Sequence, residues 1–432
     1  MVAVVGRVSI RSRARAVPRA VYVVLAVALA LRLAWVAYAA REPENFGDPF
    51  IYLNAARGIA AGHGYVLWFS THATAFHPIG YPGWLAVIVW SATRVGLEGH
   101  VPVLVGIAQA LLGTASVALL YVIAVRLFGH RVALIAAAIT ACFPNLVFYT
   151  ALAYSETLYL FGILLAIWLV LRVDWRPAPS GRVIAAFGFV VGLSSLVRPF
   201  TLLSPLLLGV AMMREGSTRR DTARGVAVAM SLALLVLVPW TVRNAFTFHA
   251  FVPVSTNLGD TLCLDNSAGA YGGFRDLPLE CSQPVTDAAG EPARNSHNLH
   301  YAVHWALHHP LDELRLVARR AYYGYRSDHD ALTDLAGASG HFPPSGVRTP
   351  LSWLADVYYF IVGLLAIAAV PKFWREPRPL FVLLMAASLG AVPLYLYGLV
   401  RFHIPLLPFL GLGAAVTIDR LYESAKRRKS VI

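Results

Sequence analysis

Apolar runs as long as a bilayer is thick recur along this 432-residue chain, and no other feature limits its fold as tightly. A helix needs about 20 such residues to cross the hydrocarbon, and a spanning segment must satisfy every peptide group internally. The first run, Ala20 to Ala40, follows five arginines (Arg7, Arg11, Arg13, Arg15 and Arg19) and is longer than a signal-peptide core. It reads as a retained first span. Further runs at 101–127, 131–148, 155–172, 182–197, 201–213, 225–242, 351–371, 378–398 and 402–420 bring the expected total to ten crossings. The predicted class is an all-α polytopic membrane protein.

A net charge of +13 would suit nucleic acid if it were spread over one soluble surface, but 58% of residues are hydrophobic and only 14% charged. The basic residues sit instead in short linkers: Arg126/Arg131, Arg172/Arg176/Arg182, Arg214/Arg219/Arg220/Arg224, Lys372/Arg375/Arg378 and Arg420/Lys426/Arg427/Arg428/Lys429. That is the positive-inside pattern, and it places both termini in the cytoplasm. Nucleic acid is not an expected partner. Ile79 to Val95 has nearly the length of a span, but a crossing there would put Arg126 and Arg131 outside. Tyr81 to Val95 is therefore expected as an in-plane or re-entrant helix.

This topology predicts five regions: a basic cytoplasmic tail (1–19), an N-terminal membrane module (20–242) with an outer loop at 41–100, an extracytoplasmic lobe (243–350), C-terminal spans (351–420) and a second basic tail (421–432). Chemistry is expected in the two long outer segments, where a rigid scaffold can present loops. There is no GxxxxGK[ST] loop, no GxGxxG behind a strand, no HExxH and no paired CxxC. A nucleotide-bound donor is unsupported, and no cofactor is expected.

The outer edge carries ordered motifs. Asp48-Pro49-Phe50-Ile51-Tyr52 is followed by Ala55-Ala56-Arg57-Gly58 and by His77-Pro78-Ile79-Gly80-Tyr81-Pro82. Further on come Ser155-Glu156-Thr157-Leu158-Tyr159, Val197-Arg198-Pro199, Pro239-Trp240-Thr241-Val242-Arg243-Asn244 and Arg401-Phe402-His403-Ile404-Pro405. Together these resemble the GT-C membrane glycosyltransferases, specifically the family 39-like enzymes related to protein O-mannosyltransferases and the aminoarabinose transferase of lipid A. The resemblance implies a GT-C-type bundle and inverting transfer of a sugar from a polyprenyl-phosphate donor to a glycan, lipid or protein acceptor on the outer face of a cell membrane. The absence of any Asn-x-Ser/Thr sequon favours a bacterial one.

Single-step inversion needs a base for the acceptor hydroxyl, and Asp48 is the candidate. An Asp before a Pro also reads as a helix start, so a capping role stands beside the catalytic one. Glu156, an acid at a membrane boundary, is the second catalytic candidate, or else a favourable charge at a helix N-terminus. Glu42 and Glu44 rank below Asp48. Arg198, Arg243 and Arg401 fall at outer helix ends, against the positive-inside trend, and are candidates with Arg57 for holding the donor phosphate. Snorkelling to the headgroups is the alternative. Arg319 and Arg320 read as a solvated face.

Tyr52, His77 and Tyr81 are candidates for binding the sugar or acceptor, within a loop that also offers Tyr65, Trp68, Phe69 and His72; interfacial anchoring explains such aromatics equally well. Cys263 and Cys281 are expected to form a disulfide, and Cys142 to be a buried thiol. His297, His300, His304 and His308 share a helical face but lack completing ligands, so no metal is expected. A transporter or lipid flippase is the rival class, since such proteins place charge near the midplane of interrupted helices. A ligase or polymerase using a diphosphate-linked lipid is another; Asp48 would be dispensable there.

Overall fold

The computed structural model describes residues 18–45, 47–67, 72–175, 178–285, 287–338, 340 and 342–429. The arginines from Arg7 to Arg15, together with Trp68, Phe69 and Arg176, lie outside the described residues. Apart from two isolated bridges, Val66 with Ala73 and Gly273 with Gly398, the described secondary structure is helical.

The first helix, α1 (Arg19–Ala39), is long and apolar enough to cross a membrane. Two shorter helices follow, α2 (Asp48–Ala60) and α3 (Gly80–Arg94), packed against each other. At 15 residues α3 reaches only about 22 Å, short of a crossing. Next comes α4 (Val101–Phe128), a full-length span. The run expected as one crossing at 131–148 is broken: α5 (His130–Ala141) and α6 (Pro144–Phe148) meet at a 59° bend. Pro144 cannot donate to the preceding turn, so the helix stops there. Cys142 caps α5 and is exposed, not the buried thiol expected, because the break carries it off the packed face.

The apolar helices α7 (Glu156–Leu171) and α8 (Gly181–Val197) have 16 and 17 residues, and α9 (Ser204–Glu215) has 12. The long α10 (Arg219–Phe248) is capped by Thr218, whose side chain accepts from the Asp221 amide. Beyond it lies a lobe, with α11 (Leu258–Cys263), α12 (Gly290–His308), α13 (Pro310–Tyr325) and α14 (Asp330–Ala338). The chain finishes with α15 (Ser345–Ile367), α16 (Val370–Arg375), α17 (Pro377–Tyr395) and α18 (Leu407–Lys429). Against ten expected crossings, six helices among the described residues have spanning length and apolarity, and the bent pair offers a seventh.

Small residues bring helices together where lipid supplies no hydrophobic drive. A Cβ on Gly188 or Gly192 of α8 would fall 2.3 Å or 2.7 Å from the carbonyl oxygens of Ala229 or Ala233 on α10. Gly80 does the same for the segment between α2 and α3: its Cβ would meet the Leu196 backbone at 2.6 Å, so the start of α3 rests on the end of α8, beside Arg198.

The lobe is fastened by buried polar groups that the sequence reading missed or misjudged. Glu291 accepts from Thr74 Oγ1 (2.7 Å), the Ala75 amide (2.8 Å) and Thr256, clasping the first outer loop to the lobe. Arg320, expected on a solvated face, is wholly buried and donates to Asp265, Asn266, Glu313 and the Leu394 carbonyl. Helix α13 turns that side chain inward, while Arg319 stays exposed. Cys263 and Cys281 are joined by a disulfide that closes the intervening loop.

Candidate active site

Asp48 is the first residue of α2, ahead of Pro49, but its carboxylate does not cap the helix; Gly47 occupies that position. Instead Asp48 Oδ2 accepts from Arg401 Nη2 at 2.6 Å. Arg401, in the 3-10 turn Val400–Leu406, also places Nε 2.8 Å from Glu156 Oε1. Glu156 opens α7, is fully buried, and takes a further bond from Arg198, whose Nε donates to Ser155 Oγ at 3.0 Å. Two acids and two arginines from four separate segments thus form one chain, Asp48 to Arg401 to Glu156 to Arg198.

Aromatic side chains wall this chain in. The Tyr154 ring lies beneath the Arg401 guanidinium at 4.5 Å, and its hydroxyl donates to Asp334 at 2.9 Å. His77 Nε2 stands 3.9 Å from Asp48 Oδ1. Tyr52 meets His77 and Tyr81 edge-on, at 5.0 Å and 5.3 Å. The Tyr81 hydroxyl bonds Gln109, which donates to the Thr150 and Leu152 carbonyls and so fixes the segment leading into Ser155 and Glu156.

Electrostatics keep Asp48 deprotonated. Burial alone would raise the Asp48 carboxyl, but Arg401, with help from His77 and Arg198, holds it below its ordinary value. Asp48 is therefore ionised at neutral pH. Burial lowers the His77 imidazole, against the pull of Asp48, so His77 is neutral. The four charges of Asp48, Glu156, Arg198 and Arg401 sum to zero.

A second acidic group, unanticipated from sequence, adjoins the first. Asn145 donates to Asp328 (2.8 Å) and Asp330 (2.7 Å), and His403 Nε2 lies 3.0 Å from Asp328. His403 is stacked between Tyr325 and Tyr359, which pins the turn carrying Arg401. Burial raises Asp328 to about 6, and burial with the nearby Asp330 raises Asp334 to about 7.

Two of the four arginines expected at the phosphate stand elsewhere. Arg57 pairs with Glu42 at 2.7 Å on an exposed rim. Arg243 donates to the Thr74 carbonyl at 2.9 Å and stacks on Trp240, near the Glu291 clasp. Tyr65 bonds the His77 carbonyl at 3.1 Å. His297, His300, His304 and His308 are exposed along α12, and no cluster of three or more metal-type ligands occurs among the described residues.

An open groove of about 340 Å³ runs between α15, α17 and α18. Small and branched apolar residues line it, among them Ala386, Gly390, Leu394, Leu406 and Gly413, with the exposed Ile367 and Val370 at its mouth. Leu394 and Leu406 bracket the segment that carries Arg401.

A profile of the family described as dolichyl-phosphate-mannose-protein mannosyltransferase matches residues 81–242, less than half of the chain. No curated protein sequence matches significantly. Among solved structures, the chain is similar to the oligosaccharyltransferase of Archaeoglobus fulgidus in its apo form, with a TM-score of 0.57 and 13% identity over 96% of this chain and 51% of that one. It is similar to the same organism's AglB in complex with an inhibitory peptide and a dolichol-phosphate (TM-score 0.52, 13% identity, 95% and 51% covered). ArnT from Cupriavidus metallidurans bound to undecaprenyl phosphate gives a TM-score of 0.53 at 16% identity, covering 93% of this chain and 60% of that one. The chain thus spans about half the length of the archaeal enzyme. Its fold is that of the GT-C membrane glycosyltransferases, and the family resemblance carried by the sequence motifs is borne out.

Proposed function

We propose that this GT-C chain is an inverting glycosyltransferase that moves a sugar from a polyprenyl-phosphate donor to an acceptor hydroxyl on the extracytoplasmic face. One observation carries the reading: Arg401 bridges Asp48 and Glu156, and the segment that holds it is flanked by Leu394 and Leu406, which line an apolar groove of about 340 Å³. The complexes of AglB with dolichol-phosphate and of ArnT with undecaprenyl phosphate support the donor class.

The chemistry follows from charge. The acceptor oxygen attacks the anomeric carbon, its proton passes to Asp48, and the bond to the phosphate oxygen breaks with its electron pair on the leaving group. As Asp48 becomes neutral, Arg401 loses one of its two carboxylates while the departing phosphate gains a negative charge. The guanidinium is freed as the phosphate needs it, which is differential stabilisation of the transition state. Neutral His77, facing Asp48, and the edge-on Tyr52 would position the acceptor or sugar.

Transfer from a polyprenyl-phosphate sugar, measured with purified protein in nanodiscs, tests the proposal. Asp48→Asn is expected to lower kcat by about 10²- to 10⁴-fold while donor KM stays level or falls, since Arg401 is released. Undiminished kcat would remove Asp48 as the base and favour a ligase acting on a diphosphate-linked lipid.

A further inference from the structure

Arg32 lies in the middle of the first span and is 1% exposed, yet its hydrogen bonds go to two backbone carbonyls, Ala28 at 3.0 Å and Ala141 at 3.1 Å. Helix α4 makes way for it: a Cβ on Gly113 would come 2.7 Å from Arg32 Nε. That Nε has no hydrogen-bond partner among the described residues, and neither do Thr140 Oγ1 and Glu156 Oε2. All three residues line one pocket with about 10 Å³ of room, enough for a single water. A donor, an acceptor and a hydroxyl that serves as either, each buried and unpaired, thus belong to residues that wall one water-sized space.

We infer that a bound water in this cavity couples Arg32 to Glu156, making Arg32 a positioning residue for the donor-phosphate site. The water accepts from Arg32 Nε, donates to Glu156 Oε2 and exchanges a bond with Thr140. Glu156 is thereby shared between an intramembrane cation on one oxygen and Arg198 with Arg401 on the other. Drawn toward Arg32, it grips the two site arginines less tightly, leaving their guanidiniums available to an incoming phosphate. Buried charge in a span persists where it has a partner, and here the partner is reached through one water. The inference rests on the donor site proposed above.

The test is a double-mutant cycle on the affinity of the protein in nanodiscs for undecaprenyl phosphate. Arg32→Met is expected to weaken binding about tenfold, Arg32→Lys to restore it to within about threefold, and the Arg32→Met effect to shrink below about twofold in a Glu156→Gln background. An Arg32 that merely caps the broken α5 helix would give the same loss in both backgrounds, and that result overturns the coupling. Should Arg32→Met fail to fold, Thr140→Val leaves both carbonyl bonds in place; about threefold weaker binding supports the water, and unchanged affinity overturns it. A wild-type protein that does not bind undecaprenyl phosphate would remove the donor site itself, a failure distinct from the others.

Discussion

Arg401 is held by two carboxylates, Asp48 at Nη2 and Glu156 at Nε, and a fork of donors is what makes that possible. Arg401→Lys supplies one point charge where two acids must be reached, and kcat/KM for the lipid-linked donor is expected to fall about 10- to 100-fold in a steady-state assay. Asp334 offers a stability test. Its folded value of about 7 exceeds the ordinary value of 3.8, so the folded state keeps a proton that the unfolded state has lost. Stability must therefore fall as pH rises from about 4 to about 7. Asp334→Asn is expected to flatten that fall in a melting-temperature series; an unchanged slope would assign the titration to another group. Charges at the ends of apolar runs were legible as candidates, because such charges need partners. Which partner each finds was not. Arg243 and Arg401 carry the same signature, yet Arg243 meets the Thr74 carbonyl while Arg401 meets Asp48. Arg32, a lone charge inside the first apolar run, is not among the candidates the sequence offers. Nor are Asp328 and Asp334, since their polar neighbourhood reads as solvated loop, while packing on α6 and the 3-10 turn buries Asp328.

Helices in this molecule are readable as apolar runs, but their interruptions depend on local chemistry. The break between α5 and α6 follows from Pro144, whereas the apolar content of 131–148 alone suggests one continuous span. The short α7 and α8 begin or end on Glu156 and Arg198, so the length they lack is taken up by the site. Close packing of α8 on α10 depends on Gly188 and Gly192, and Gly188→Leu would drive a side chain into the Ala229 carbonyl. A loss of about 3 kcal/mol or more is expected in detergent unfolding, against little for Phe189→Ala on the exposed face of the same helix. Equal losses would show that this contact does not hold the pair.

On the scale of the whole molecule, one bundle carries a lobe above it, joined by the Glu291 clasp, the Arg320 node and the pairing of Gly398 with Gly272 at 2.9 Å. The proposed sidedness predicts that a cysteine replacing exposed His300 reacts with a membrane-impermeant maleimide in intact spheroplasts, while one replacing Arg219 reacts only after lysis; the reverse pattern would invert the topology. The groove between α15, α17 and α18 is apolar and walled by three helices of membrane-spanning length, so the proposed lipid donor would reach it from the bilayer. A substrate entering there is supplied in two dimensions, so its concentration is a mole fraction of the bilayer. Diluting the donor with inert phospholipid at constant bulk concentration should then slow turnover in proportion, and adding water alone should not.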